Sequence, residues 1–145
     1  MNAESVRLVR RSFEQLAPIA QQAAALFYRN LFRLDPSLEA LFKGDMVQQG
    51  ERLMKMIGTA VALLDEPARL VPALKALGAR HVSYGVEEPH YAIVGQALIG
   101  TLEQGLGAAF GPPVRAAWIE VYGFIARTMI DAARAAGAAP RAVAA

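Results

Sequence analysis

Two histidines, His81 and His90, are the strongest candidates for metal chemistry in this 145-residue chain, which contains no cysteine. The missing thiols exclude disulfides, thiolate metal sites and cysteine nucleophiles. Leu74, Leu77 and His81 are spaced three and four apart and so share one helix face. An imidazole on an apolar face must find a hydrogen bond or a metal, because burying it bare is costly. The spacing leaves two readings open: a core histidine satisfied by the protein, or a metal ligand. His90 follows Glu87, Glu88 and Pro89 in a first helical turn, which suggests an exposed, charged role. It also heads a stripe with Val94 and Leu98, so periodicity does not rank the two histidines.

Two further polar residues stand on apolar faces. Gln49 shares a face with Leu53, Met56 and Ile57, whereas Gln48, Arg52 and Lys55 form a solvated face. An amide aimed inward needs partners; near a helix start it can instead reach water. Tyr28 shares a stripe with Ala24, Leu31 and Phe32. Taken alone, it is a core aromatic whose hydroxyl finds the surface or a carbonyl.

Other chemistries lack their residues. No glycine-rich loop follows a strand, no serine sits in a nucleophile elbow, and no His-x-x-x-His or carboxylate cluster offers a non-haem metal site. The net charge is +2 and the basic residues are scattered, which argues against a nucleic-acid partner. No apolar run reaches the roughly 18 residues of a membrane span. The N-terminus has no leader pattern, so a cytoplasmic location is expected. The 54% hydrophobic content suits a large core or a buried apolar cofactor.

Positioning these residues falls to helices, since spacings of three and four dominate and period-two alternation is scarce. A first helix is expected over about 4–17, and Pro18 opens a second to about Leu34. Asp35-Pro36 reads as an N-cap with proline at the first helical position, starting a short helix to about Phe42. Lys43-Gly44-Asp45 is a loop. A long helix follows from Met46 to Leu64 and is stopped by Asp65-Glu66-Pro67. A less regular helical region covers 68–82, with Pro72 and Gly78 inside it. Tyr84-Gly85-Val86 is a turn. Another helix runs from Glu87-Glu88-Pro89 to about Leu106, and the last from Pro113 to about Ala133. Residues 134–145 read as an alanine-rich disordered tail after a single domain over 1–133. Seven or eight helices without a strand make the chain all-α, with a globin-like packing or a bundle as the compact options.

The order of motifs resembles a known family. Leu77-Gly78-Ala79-Arg80-His81, then Tyr84-Gly85-Val86, then His90-Tyr91-Ala92-Ile93-Val94-Gly95, is similar to bacterial single-domain haemoglobins and to the globin domain of flavohaemoglobins. Leu31-Phe32, Asp35-Pro36 and Leu41-Phe42 resemble the second and third globin helices. Ala116-Ala117-Trp118 with Val121-Tyr122-Gly123 resembles the last. The resemblance implies a globin fold around haem b (iron protoporphyrin IX), with His81 as the proximal iron ligand. It implies that Tyr28, Gln49 and Leu53 face the distal side. It places Phe42, Arg52, Leu77, Val86, Tyr91 and Val94 among the cofactor contacts, with Arg52 at a position that often holds a haem propionate and Tyr91 behind the proximal histidine.

One position departs from the family. A glutamate of the last flavohaemoglobin helix joins the proximal histidine and tyrosine in a network, and alignment through Tyr122 puts Ala133 there. Asp131 lies on another face. The function implied is reversible oxygen binding for storage or delivery, with nitric oxide and carbon monoxide as further diatomic ligands. Alternatives are a nitric oxide dioxygenase or peroxidase drawing electrons from a separate reductase, since no flavin or nicotinamide domain is read in this chain, or a haem-based gas sensor or interaction module.

Overall fold

The computed structural model describes residues 1–138 and contains six α-helices with three short 3-10 segments. The helices are α1 (Ala3–Leu16), α2 (Ala20–Leu34), α3 (Met46–Ala62), α4 (Pro67–Ser83), α5 (Glu88–Leu106) and α6 (Pro112–Ala138). The all-α expectation holds. The count of seven or eight helices falls to six because the Pro36–Leu41 element is 3-10, with Asp35 accepting from the Ser37 N–H at 3.0 Å.

Local chemistry fixes most helix starts. The Asn2 side chain accepts from the Ser5 N–H at 2.7 Å and starts α1. Asp45 accepts from the N–H groups of Val47 at 2.7 Å and Gln48 at 3.3 Å and starts α3. Each cap satisfies a donor that the helix itself leaves orphaned. The region expected to be less regular is one continuous helix, α4, which opens on Pro67 and tolerates Pro72 in its interior. Pro72 lies on the exposed side, while Leu70, Leu74 and Gly78 are buried. The last helix does not end at Ala133: residues 134–138 of the expected tail continue α6, and 139–145 lie outside the described residues.

Packing builds two joined apolar clusters. The larger includes Val9, Leu70, Leu74, Leu102, Trp118 and Val121. The Trp118 indole donates to Ser12 Oγ at 2.7 Å, and that hydroxyl donates to the Leu8 carbonyl at 2.8 Å, so a buried donor is satisfied across α6 and α1. The smaller cluster holds Phe27, Tyr28, Leu31, Leu38 and Ala97. Leu98 packs against both. Asn30 crosses from α2 to α5, donating to Thr101 Oγ1 at 3.1 Å and Gln104 Oε1 at 3.0 Å.

Two glycines permit close helix contacts. A Cβ built at Gly78 would lie 2.4 Å from the Met129 carbonyl oxygen, so α4 rests directly on the α6 backbone. A Cβ at Gly50 would lie 2.9 Å from Ala24 Cβ, which draws α3 onto α2. α4 therefore packs mainly on α6, and α3 on α2 and α1; α3 and α4 do not form a packed pair with each other. No helix among the described residues is long and apolar enough to cross a membrane.

Candidate functional site

The residues singled out above come from α2, α3, α4, α5 and the segments between them. Tyr28 comes from α2, Phe42 from the segment before α3, and Gln49, Arg52 and Leu53 from α3. Leu77 and His81 come from α4, Val86 from the turn after it, and Tyr91 and Val94 from α5.

His81 donates from Nδ1 to the Leu77 carbonyl at 2.8 Å. The bond runs back one helical turn, as an imidazole near a helix C-terminus allows. It assigns the proton to Nδ1 and leaves the Nε2 lone pair without a partner. Burial pushes the His81 pKa down; the Leu77 bond opposes this, and the Arg80 charge adds to it. The ring is thus a neutral base with one free nitrogen. The Tyr84 and Tyr91 rings flank it at centroid distances of 5.8 and 6.4 Å.

His90 takes a different part. Its Nδ1 accepts from the Glu87 backbone N–H at 2.9 Å. It is therefore a helix cap on α5, half-buried rather than exposed as its neighbours suggested.

Tyr28 is buried in an aromatic cluster, edge-on to Phe27 and Phe42 at 5.2 Å each and stacked with Phe32 at 6.0 Å. Its hydroxyl donates to the Gln49 backbone carbonyl at 3.2 Å. Burial pushes its pKa up to about 12, against a smaller opposing pull from Arg52, so it stays a donor at neutral pH. The Gln49 amide donates to the Lys43 carbonyl at 3.3 Å. The two distal groups are thus adjacent through the Gln49 main chain, and their donors are engaged elsewhere.

The apolar members divide between the two clusters. Phe42, Leu53 and Val94 are half-buried against the Tyr28 cluster, and Leu77 and Val86 against the larger core. Arg52 is exposed. No hydrogen bond or ring contact joins His81 to Tyr28 or Gln49. Sequence reasoning quoted Leu41 and Ile93 within motifs but gave them no role; both are half-buried against the Tyr28 cluster. It also missed the structural role of Gly78, whose signal was its place between Leu74 and His81.

This donor set fits haem. Among the described residues no group of three or more His, Asp or Glu could hold a bare metal ion. A porphyrin supplies four equatorial nitrogens itself and asks the protein for one axial base and apolar walls. His81 Nε2 and the half-buried apolar side chains on both clusters meet that demand.

The globin family profile matches residues 25–129, most of the chain. The chain belongs to the globin family. Membership implies a haem site and binding of diatomic gases. This globin is 34% identical to a flavohemoprotein of Chromobacterium violaceum over 120 residues, covering 78% of this chain and 30% of that protein. It therefore spans about a third of the length of the curated flavohemoproteins it matches. A neuroglobin of Dissostichus mawsoni is 28% identical, with 89% of this chain and 90% of that one covered. Among solved structures, an engineered carbene transferase, described as a "putative nitric oxide dioxygenase from Rhodothermus marinus", superposes with a TM-score of 0.85 at 25% identity, covering 95% and 96% of the two chains. A bacterial globin from Campylobacter jejuni shares the fold, with a TM-score of 0.79 at 23% identity and coverage of 92% and 96%.

The position that departs from the family pattern, Ala133, borders a cavity in this globin. Tyr91 lines the same cavity, and Asp131 is exposed. The Tyr91 hydroxyl is buried without a hydrogen-bond partner among the described residues, while the Tyr91 carbonyl accepts from Tyr122 Oη at 2.6 Å.

Proposed function

We propose that this globin binds haem b through His81 Nε2 and holds oxygen reversibly. The observation that carries this reading is the Nδ1 bond to Leu77, which fixes the tautomer and leaves the other nitrogen bare. Bound haem supplies a ferrous iron with one open position for oxygen, nitric oxide or carbon monoxide. The protein does the rest. Leu77 orients the imidazole and keeps Nδ1 protonated. Phe42, Leu53, Leu77, Val86 and Val94 keep water from the cofactor faces, and Arg52 is the cation that would pair with a haem carboxylate.

Tyr28 is the distal donor. With haem bound, its hydroxyl would be free to turn from the Gln49 carbonyl toward a gas ligand, and the Gln49 amide would reach the same ligand only by giving up the Lys43 carbonyl. A net hydrogen bond contributes about 0.5–1.5 kcal/mol, more to a charged acceptor. Because both donors already have partners, the gain is the difference between two bonds.

Storage or delivery of oxygen in the cytoplasm is favoured over catalysis by Ala133, which provides no carboxylate beside Tyr91 to polarise the proximal side. The Rhodothermus marinus neighbour supports a second reading, nitric oxide dioxygenation with electrons from a separate reductase; a peroxidase or a gas sensor has no observation of its own here. Absorption spectra of the purified protein in ferric, ferrous and oxygenated forms test the main reading. A stable oxygenated spectrum, lost with haem in His81→Ala, is expected; full haem content in that variant refutes His81 ligation. Rapid nitric oxide turnover with an added reductase would favour the second.

A further inference from the structure

The two tyrosine rings that flank His81 stand in opposite surroundings. Tyr91, at a centroid distance of 6.4 Å, is only 8% exposed, and its hydroxyl is buried with no hydrogen-bond partner among the described residues. Tyr84, at 5.8 Å, is 58% exposed. The chain has four tyrosines. Tyr28 is buried and Tyr122 half-buried, so Tyr84 is the one whose ring lies open at the surface.

The turn after α4 holds that ring beside His81. The His81 carbonyl accepts from the N–H groups of Tyr84 at 3.2 Å and Val86 at 3.1 Å, and the Val82 carbonyl accepts from the Gly85 N–H at 3.1 Å. Gly85 takes φ +85°, the left-handed conformation that this kind of helix end requires. Tyr84 is thus joined to His81 through the main chain as well as ring to ring.

A phenol gives up an electron readily only when its proton can leave as well. Water can take the Tyr84 proton, whereas the Tyr91 hydroxyl has no acceptor. Of two rings at similar distance from His81, only the exposed one can be oxidised and then meet another molecule.

We propose that Tyr84 is an oxidative modification site, at which peroxide acting on the haem-loaded protein withdraws an electron by way of His81 and couples the ring to the same residue of a second copy. The proposal rests on the reading of His81 as the iron ligand. Each of two Tyr84 phenols loses one electron and one proton. A carbon–carbon bond forms between ring carbons ortho to the hydroxyls, and the ring hydrogens at those carbons move to the phenol oxygens. Hydrogen peroxide takes up the two electrons and two protons, its O–O bond breaks, and two water molecules form.

A stoichiometric amount of hydrogen peroxide added to the haem-loaded protein tests the proposal, read by dityrosine emission and by a covalent dimer on a denaturing gel. Both signals are expected in the wild type. Tyr84→Phe should lose both while keeping its Soret band, and the apoprotein given the same peroxide should show neither. Exposure alone is tested by adding Ile119→Tyr to Tyr84→Phe. Ile119 is 46% exposed and lies about 15 Å along the α6 axis from Met129, where α4 rests. That double variant should not couple. Absence of dityrosine in a wild type whose Soret band shows bound haem overturns the proposal and leaves the haem reading standing. Undiminished coupling in Tyr84→Phe, or wild-type coupling in the double variant or the apoprotein, overturns it as well. A wild type that takes up no haem refutes the haem reading and this proposal with it.

Discussion

The Tyr28 hydroxyl donates to the main-chain carbonyl of Gln49 at 3.2 Å, not to its side chain. The Gln49 amide meanwhile donates to Lys43. The two groups expected to converge on a ligand are therefore neighbours whose donors are both engaged by main-chain carbonyls. A ligand must outcompete a carbonyl for each of them.

That competition can be measured. Tyr28→Phe should speed oxygen release by about two- to tenfold, the equivalent of one net hydrogen bond. Gln49→Leu should have a smaller effect if its amide prefers Lys43. Stopped-flow displacement of oxygen by carbon monoxide reads both. Unchanged off-rates in both variants would refute distal donation.

The two histidines should behave oppositely. His81→Ala should lose haem on gel filtration. His90→Ala should keep haem and instead lose a cap that accepts the Glu87 N–H, seen as faster amide exchange in the first turn of α5. Retention in the first variant and loss in the second would reverse the assignment.

The His81 pKa, lowered in the folded state from 6.5, makes apoprotein stability depend on pH. Below about 6.5 the unfolded chain takes up a proton on this ring that the folded chain resists. The contribution is therefore full above that pH and is lost as pH falls toward the folded value. Urea midpoints at pH 7.5 and 5.5 should differ more for the apoprotein than for apo His81→Gln, which cannot titrate. Equal pH dependence in the two would show that the ring is not desolvated.

Gly78→Ala should be destabilising out of proportion to one methyl group. Its Cβ would meet the Met129 carbonyl at 2.4 Å, and the obstacle is backbone. Overpacking of this kind costs about 1–3 kcal/mol. Because α4 carries His81, thermal denaturation should show a lower Tm, and haem transfer to apomyoglobin should be faster. A neutral outcome would mean that α4 slides on α6 freely.

Ser12→Ala should cost about 1–3 kcal/mol in urea unfolding, because it leaves the buried Trp118 indole N–H without its acceptor. Ser12→Thr, which keeps the hydroxyl, should recover part of it.

Much of this fold is written locally. Asn2, Asp35 and Asp45 cap the segments that follow them, and Pro67 opens α4, so element positions follow from short-range chemistry. The shortcomings were also local. Pro72 looked like an interruption, but it lies on the solvent side of a helix whose other face is anchored by Leu70, Leu74 and Gly78. Near the C-terminus, the alanine-rich composition hid the continuation of α6 to Ala138, where Arg134 is tied to Glu88.

The sequence by itself determined which side chains share a face. It set Leu74, Leu77 and His81 in one row and Tyr28 among aromatics, because helical spacing is a property of the chain alone. It could not decide what those faces meet. Only the tertiary structure showed that His81 Nδ1 is engaged and Nε2 free, that Tyr28 rests on a backbone carbonyl, and that His90 caps a helix. Hydrogen-bond partners and cavities depend on how close two helices come. That distance is set by side chains far apart in sequence, such as Gly78 against Met129 and Gly50 against Ala24.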